Sequence, residues 1–293
     1  MIELLEGLKK ARGFPAPYLE HLADLLGSYR ASGFASPNLI REVATGDLGK
    51  IYSALWEAML YRHFTLHEIE LENLPTKKAG REGPDFALRI GGKRIWVEAI
   101  APMPVDIPKE WLEQPRPGIA EARGVPHDEM LCRWVRVLRT KKDVVAKYLA
   151  KGIVEPGDGV IVAINGCGLG DYFVDGNGIS RLPRIVEAVL PIGPMGIPVR
   201  PDGTLGPAEQ MFRPSVRDSN GAIVRTDNFL LQEYAIISAA IGAVSKDMLN
   251  DRISLSLIHN PLGTNPIPLS SLGVTDEYSA AIDDGSLVLN RVG

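Results

Sequence analysis

Two acidic residues, Asp85 and Glu98, flank a pair of glycines in a segment with the pattern of two short strands. Residues 85–100 read as a β-hairpin, and Gly91-Gly92 at the centre is typical of a two-residue primed turn. With that turn, Asp85 lies directly opposite Glu98 across the strand pair. Two opposed carboxylates repel each other, and a buried carboxylate without compensation is costly. The pair therefore predicts a bound cation.

A hard divalent cation is the compensation that we expect for these two acids. Mg²⁺ is usually bound in proteins by one or two carboxylates together with substrate phosphate, and carboxylates also suit Mn²⁺. Glu98 lies in an apolar stretch, and Pro84 precedes Asp85, so we favour a shared metal site. The alternative is that one or both acids point to solvent at the edge of a sheet.

A third acid, Glu57, is the only charged residue of the segment 51–61. A helix that is apolar on nearly every side is buried, so Glu57 needs a partner there. Two interpretations stay open. Glu57 either joins the two hairpin acids or forms a short salt bridge to Arg62 or to a neighbouring strand.

The order of the predicted elements indicates an α/β fold with a mixed central sheet. Residues 1–44 predict small helices, and residues 166–293 predict an extension that packs on the core as further sheet or as a cover. Between them, residues 45–165 predict a helix, three strands, a helix and a fourth strand. These elements are expected at 48–63, 64–71, 85–90, 93–100, 129–151 and 160–164. Nothing marks a linker, so we expect one elaborated domain over 1–293.

The run Gly83-Pro84-Asp85, with Glu98-Ala99-Ile100 thirteen positions further on, resembles the PD-(D/E)XK nuclease superfamily, whose fold is restriction-endonuclease-like. The element order over residues 45–165 also matches the common core of that superfamily. The two ends of the chain are not explained by the resemblance.

The resemblance implies a role for each acid. In the superfamily the Asp and the Glu hold the catalytic metal, which here implies Mg²⁺ or Mn²⁺ bound by Asp85 and Glu98 and helped by the backbone carbonyl of Ala99. An acid on the first helix often assists, and that position corresponds to Glu57. The catalytic set then needs a lysine.

The lysine is missing from its usual place, because Ile100 stands two positions after Glu98. Either the protein is inactive or the lysine comes from elsewhere, as some members of the superfamily are thought to supply it from the following helix. At about 100° per residue, that helix has one apolar stripe. The stripe consists of Leu131, Trp134, Val135, Leu138, Val145 and Leu149. Lys142 lies inside it and Lys141 at its edge, so we predict Lys142 first and Lys141 second; the alternative is a lysine whose ammonium reaches water.

The same helix is strongly basic. Its basic residues are Arg133, Arg136, Arg139, Lys141, Lys142, Lys147 and Lys151. Such a face could follow a phosphate backbone, and the first four are our candidate nucleic-acid contacts. A solvated helix surface is the alternative explanation.

The leading hypothesis is a metal-dependent endonuclease that hydrolyses phosphodiester bonds, with DNA as the default substrate of the superfamily. Many nucleases of this kind pair to cut both strands, so a homodimer is one expected state. One alternative is a nuclease-fold protein that has lost catalysis and serves as a nucleic-acid-binding or structural subunit. Another is a nucleotide-binding enzyme built on Gly166–Gly170, although the glycine spacing there departs from the dinucleotide fingerprint.

Composition indicates an ordinary globular protein and excludes collagen-like, disordered and disulfide-scaffold classes. The 293 residues carry a net charge of -4, and the two cysteines are isolated, so we expect a reduced, cytoplasmic protein. No apolar run approaches the roughly 20 residues of a membrane-spanning helix, and the first residues do not have the pattern of a signal peptide. His63 and His67 have the spacing of a metal pair, but we expect them to be solvated.

Overall fold

The computed structural model of the chain describes residues 2–11, 14–74, 82–113, 124–170, 177–244 and 253–292. In these residues the chain forms seven α-helices and twelve β-strands, and eight of the strands make one mixed sheet. The predicted α/β class with a mixed central sheet is confirmed. None of the described helices combines the length and the apolar character that crossing a bilayer requires.

Four helices precede the first strand: α1 (Ile2–Ala11), α2 (Leu19–Ala31), α3 (Leu39–Ala44) and α4 (Leu48–Leu66). The small helices predicted for the first 44 residues are confirmed. The side chain of Asp47 accepts a hydrogen bond from the backbone N–H of Lys50 at 2.9 Å and so caps the start of α4. The buried residues of the four helices join one face of the sheet in a single core.

The end of α4 differs from the expectation. A strand over 64–71 is wrong for most of its length, because the helix continues to Leu66 and only Glu70–Glu72 is extended, as β1. Phe64 is fully buried on the helix, and Glu68, with a φ of 54°, turns the chain towards β1. A short apolar spacing does not distinguish a helix end from a strand.

The remaining elements follow in chain order. They are β2 (Phe86–Ile90), β3 (Lys93–Ile100), α5 (Lys109–Leu112), α6 (His127–Ala150), β4 (Gly159–Asn165), α7 (Arg184–Val189), β5 (Ile192–Gly196), β6 (Glu209–Phe212), β7 (Ser215–Arg217), β8 (Ile223–Arg225), β9 (Ala239–Ala243), β10 (Ser256–His259), β11 (Asp276–Asp283) and β12 (Ser286–Val292). The predicted helix over 129–151 and the predicted strand over 160–164 correspond closely to α6 and β4.

The main sheet has the strand order β1-β2-β3-β4-β9-β10-β11-β12. Its first three strands are antiparallel neighbours, and β3 then runs parallel to β4. A parallel pair needs a crossover connection, usually a helix, and α6 supplies it. The crossover places α6 against β4, on the opposite face from α4.

The C-terminal residues extend this sheet. β9 pairs in parallel with β4, and β10, β11 and β12 continue the sheet beyond it. Of the two forms expected for the C-terminal segment, residues 239–292 therefore contain the sheet extension. β5–β6 and β7–β8 are two further hairpins outside the main sheet.

The glycine turn of the β2–β3 hairpin has the predicted form. Gly91 has a φ of 56° and Gly92 a φ of 78°, and two consecutive positive values are the geometry of a type I′ turn. Phe86 pairs with Val97 in the resulting register. The paired register ends at Phe86 and Val97. Asp85 departs from it, because its backbone N–H donates to the carbonyl oxygen of Val97 instead of that of Glu98, so the two acids are neighbours but not the directly opposed pair that we predicted.

The two faces of the hairpin meet different helices. Val97 belongs to the core under α4, whereas Trp96 packs with Val145 and Tyr148 of α6. Successive side chains of a strand point to opposite faces of the sheet. Glu98 therefore lies on the same face as Trp96 and points towards α6.

His63 is buried, so the expectation of two solvated histidines is wrong for this residue. It is 5% exposed, and its Nε2 lies 2.8 Å from the carbonyl oxygen of Leu272, to which a neutral ring donates its proton. Its ring centroid is 4.4 Å from that of the exposed His67. Burial, with a smaller contribution from His67, lowers the pKa of His63 to about 4.

The free energy of unfolding is expected to fall as the pH drops from about 6.5 to about 4, by about 3 kcal/mol from His63 alone. Below pH 6.5 the unfolded chain binds a proton at this histidine, whereas the folded chain binds it only below about pH 4. Urea unfolding at several pH values measures the slope. His63→Gln is expected to flatten it and His67→Gln to leave it; equal slopes in the wild type and His63→Gln would contradict the assignment.

Candidate active site

Asp85 is held in place by the hairpin itself. Its backbone N–H donates to the carbonyl oxygen of Val97 at 3.0 Å, one residue out of the register of the ladder that ends at Phe86. Its Oδ2 accepts a hydrogen bond from the backbone N–H of Ala99 at 2.8 Å. The carboxylate of Asp85 thus reaches across to β3 beside Glu98, and two backbone atoms of β3, the Val97 oxygen and the Ala99 nitrogen, fix the position of this residue.

Glu98 is buried and meets a lysine from α6. The Nζ of Lys141 lies 2.6 Å from Oε1 of Glu98, and the two side chains are only 15% and 7% exposed. A hydrogen bond between two ionised groups is stronger than a neutral one, and it compensates the burial of both charges. The structure therefore brings together one predicted acid and the second-choice lysine.

The first-choice lysine is placed elsewhere, which corrects the order of the two predictions. The Nζ of Lys142 lies 3.5 Å from the carboxylate of Glu233 and 3.3 Å from that of Asp143. It also stands 5.1 Å from the ring centroid of Tyr234, close enough for a cation–π contact. Lys142 thus contacts the C-terminal segment, and Lys141 contacts the hairpin.

The reason for the exchange lies in the helical phase of α6. The predicted stripe included Leu149 and left out Tyr148, but Tyr148 is buried and Leu149 only half-buried. At about 100° per residue, Lys141 lies within about 20° of Tyr148 around the helix, whereas Lys142 lies about 120° away. The second half of α6 therefore turns Lys141, together with Val145 and Tyr148, to the sheet.

Two tyrosines that the sequence did not single out flank the acids. Burial raises the pKa of Tyr148, and the nearby charges of Glu98 and Asp85 raise it further. Burial likewise raises the pKa of Tyr29 on α2, followed by the charges of Glu57 and Asp85. Both phenols therefore stay protonated as neutral donors. The heptad spacing from Lys141 could have identified Tyr148; no local pattern marks Tyr29.

Glu57 has the Tyr29 hydroxyl as a partner. That hydroxyl donates to Oε2 of Glu57 at 2.9 Å, and Tyr29 itself is 1% exposed. The charges of Glu57 and Asp85 both raise the pKa of that phenol, and Glu57 lies on α4, on the face of the sheet opposite α6. Among the described residues, Glu57 does not join Asp85 and Glu98 in one set of metal ligands.

The basic residues of α6 do not share one surface. The Nε of Arg133 donates to the carbonyl oxygen of Met103 at 2.8 Å, and Arg136 binds the carboxylates of Asp106 and Asp218. These two arginines join α6 to the neighbouring loops, and Lys141 is occupied with Glu98. Exposed basic side chains on α6 include Arg139 and Lys147.

The chemistry of the two hairpin acids fits a hard divalent cation that is bound together with a substrate. In the described part of the chain, no three His, Cys, Asp or Glu side chains are placed to hold a metal ion among themselves. Mg²⁺ keeps several waters and usually takes one or two carboxylates plus phosphate oxygens. Asp85 and Glu98 supply that number, and the carbonyl of Ala99 is the further oxygen that the resemblance suggests.

Comparison with known proteins finds no relative. No family model matches the chain. No curated protein and no solved structure is significantly similar to it. The interpretation of the site therefore depends on its own geometry and on the motif resemblance.

The glycines after β4 serve close packing. The segment Gly166–Leu169 is a 3₁₀ helix that Asn165 caps, by accepting from the backbone N–H of Cys167 at 3.0 Å. A Cβ on Gly166 would come within 2.8 Å of the Trp134 ring, and one on Gly168 within 2.9 Å of a backbone oxygen. These contacts account for the glycines without a bound nucleotide.

Proposed function

We propose that this protein is a Mg²⁺-dependent nuclease of the PD-(D/E)XK type that hydrolyses phosphodiester bonds, with DNA as the substrate. The observation that carries the proposal is the 2.6 Å contact between Nζ of Lys141 and Oε1 of Glu98, beside Asp85. The resemblance requires two acids and a lysine in one place, and α6 supplies the lysine that β3 lacks.

The path of the chain around the site supports the proposal. α4 precedes β1, the strands β1, β2 and β3 are consecutive antiparallel neighbours, and α6 crosses over to the parallel strand β4. This is the order of helix, three strands, helix and strand that the resemblance implies for a restriction-endonuclease-like core. On this proposal the N-terminal helices and the strands β9–β12 would be elaborations of such a core.

Because Ile100 occupies the position on β3 where the superfamily has its lysine, a catalytic lysine has to come from another element, here α6. It lies on the same face of β3 as Glu98, because the two are separated by one residue, and it packs against the core that contains Leu131, Val135 and Leu138 of α6. The usual lysine position is therefore filled by an apolar contact that fastens α6 to the sheet. The same helix brings Lys141 to Glu98 one turn further on.

Each side chain of the site has a separate role in the proposed hydrolysis. Asp85 and Glu98 are the residues that would hold Mg²⁺, and the ion would supply polarisation of the scissile phosphate and a lowered pKa of a water. Both carboxylates are already oriented for that task, Asp85 by the Ala99 N–H and Glu98 by Lys141. Lys141 keeps a preorganised positive charge where negative charge develops on the phosphate. Glu57, which accepts a hydrogen bond from the Tyr29 hydroxyl, would assist from α4 without joining Asp85 and Glu98 as a ligand of the same ion.

The test is cleavage by the purified full chain. Labelled single- and double-stranded DNA, with RNA of the same sequence in parallel, is incubated with Mg²⁺, Mn²⁺ or EDTA, and Mn²⁺ binding is measured by calorimetry. Cleavage of DNA that requires the metal is the expected result. Absence of both cleavage and Mn²⁺ binding would overturn the proposal and favour the alternative of a nuclease-fold protein that binds without cutting.

A further inference from the structure

The β5–β6 hairpin and its connecting loop, residues 192–212, form an arm outside the main sheet. The pairing of β5 with β6 is continued towards the tip by a bridge between Val199 and Leu205. Six large apolar side chains of the arm are 52–69% exposed. They are Met195, Ile197, Val199, Leu205, Met211 and Phe212.

An apolar cleft of about 720 Å³ lies at the base of the arm. The base contributes Ile192 and Phe212, and the β11–β12 hairpin contributes Ile282, Leu287 and Leu289. The two tip residues of the bridge do not line this cleft, and their exposure shows that the tip points away from it. The chain therefore exposes an apolar tip and an apolar cleft, and the tip does not fill the cleft of its own chain.

The exposed apolar area has the size of an interface. A large apolar side chain presents about 150 Å² when fully exposed, so the six arm residues and Ile282 together leave on the order of 600 Å² in water. That is the upper end of the largest apolar patch on a typical monomer, about 300–600 Å². It is also most of the roughly 800 Å² that each partner contributes to an interface of standard size.

We propose that the arm is a dimerisation element, whose tip docks in the cleft of a second copy of the chain. A two-fold axis that places one tip in the partner's cleft places the partner's tip in the first cleft, so the contact is made twice. A cavity of about 150 Å³ holds one benzene molecule, and the cleft accordingly has room for Ile197, Val199 and Leu205. The proposal does not depend on the nuclease chemistry.

The first experiment measures the oligomeric state of the full chain. Sedimentation between about 1 and 100 µM is expected to show a monomer–dimer equilibrium for the wild type, because a contact of this size gives micromolar or tighter affinity. A tip variant, Val199→Asp with Leu205→Asp, is expected to raise the dissociation constant at least about 100-fold, since both contacts lose two buried apolar groups. Leu66→Asp on α4, with an exposure of 54%, is the matched control and is expected to dimerise normally.

Mixing two variants distinguishes specific docking of the tip in the cleft from non-specific hydrophobic association. Phe212→Asp damages the cleft and leaves the tip intact, so an equimolar mixture with the tip variant restores one good contact per heterodimer. The mixture is expected to dimerise more strongly than either variant alone, and unchanged thermal unfolding of each variant shows that it is folded. A wild type that stays monomeric at 100 µM, or a tip variant that dimerises like the wild type, would overturn the proposal.

Discussion

Replacement of Lys141 by methionine is expected to lower the rate of metal-dependent DNA cleavage by about 10²–10³-fold, the usual effect of removing one preorganised group that stabilises transition-state charge. Lys142→Met is expected to leave the rate within a few-fold. The difference follows from the helical phase of α6, which places the Lys141 ammonium on Glu98 and the Lys142 ammonium near Glu233 and Tyr234. Single-turnover kinetics on one labelled duplex measures both variants.

The two lysines are closely matched controls for each other. They are adjacent on one helix, and their side chains are 15% and 13% exposed. Because Lys141→Met leaves Glu98 without that ion pair, urea unfolding and Mn²⁺ calorimetry accompany the kinetics. Loss of rate with retained Mn²⁺ binding assigns Lys141 to the chemical step. A variant pair in which Lys142→Met loses activity and Lys141→Met keeps it would reverse the assignment.

Asp85→Asn and Glu98→Gln are each expected to remove Mn²⁺ binding and to reduce cleavage by at least about 10³-fold, because a site with two protein carboxylates loses half of its charge. Both substitutions keep the shape of the side chain. In Asp85→Asn, the amide oxygen of the new side chain can still accept the Ala99 N–H. The measurements are calorimetry with Mn²⁺ and cleavage over a range of Mg²⁺ concentrations.

Glu82→Gln is the control for general electrostatics around the hairpin. Glu82 is exposed, binds Lys151 and also acts on the pKa of Tyr148, but it lies outside the Asp85–Glu98 pair. We expect its replacement to change cleavage by less than about threefold, as for an exposed ion pair.

Retention of Mn²⁺ binding in Asp85→Asn and Glu98→Gln would contradict the shared metal site.

The acid pair could be predicted because everything that creates it is local. Two glycines fix the turn, the turn fixes the register, and the register brings Asp85 to the part of β3 that contains Glu98. The apolar character of α4 was equally predictable, since it depends on neighbouring residues of one helix. These features need no knowledge of distant contacts.

The other features depend on contacts between distant parts of the chain. Whether Lys141 or Lys142 faces the sheet depends on how α6 is rotated about its axis. Tyr148 fixes that rotation by packing on Trp96. β9 has the sequence Ala-Ala-Ile-Gly-Ala, whose small residues have little preference for a strand; it is extended because it lies between β4 and β10. His63 is buried where the distant segment around Leu272 contacts it.

The central place of β4 in the sheet also has a consequence for an incomplete chain. All seven residues of β4 are buried, and its carbonyl group at Ala163 accepts the indole N–H of Trp56 at 3.0 Å. Until residues 239–243 have been synthesised, the nascent chain carries one open edge of this apolar strand, the kind of edge on which other chains add. A shortened version that stops at residue 165 keeps that edge for good. Successful truncation of this protein therefore has to retain β9.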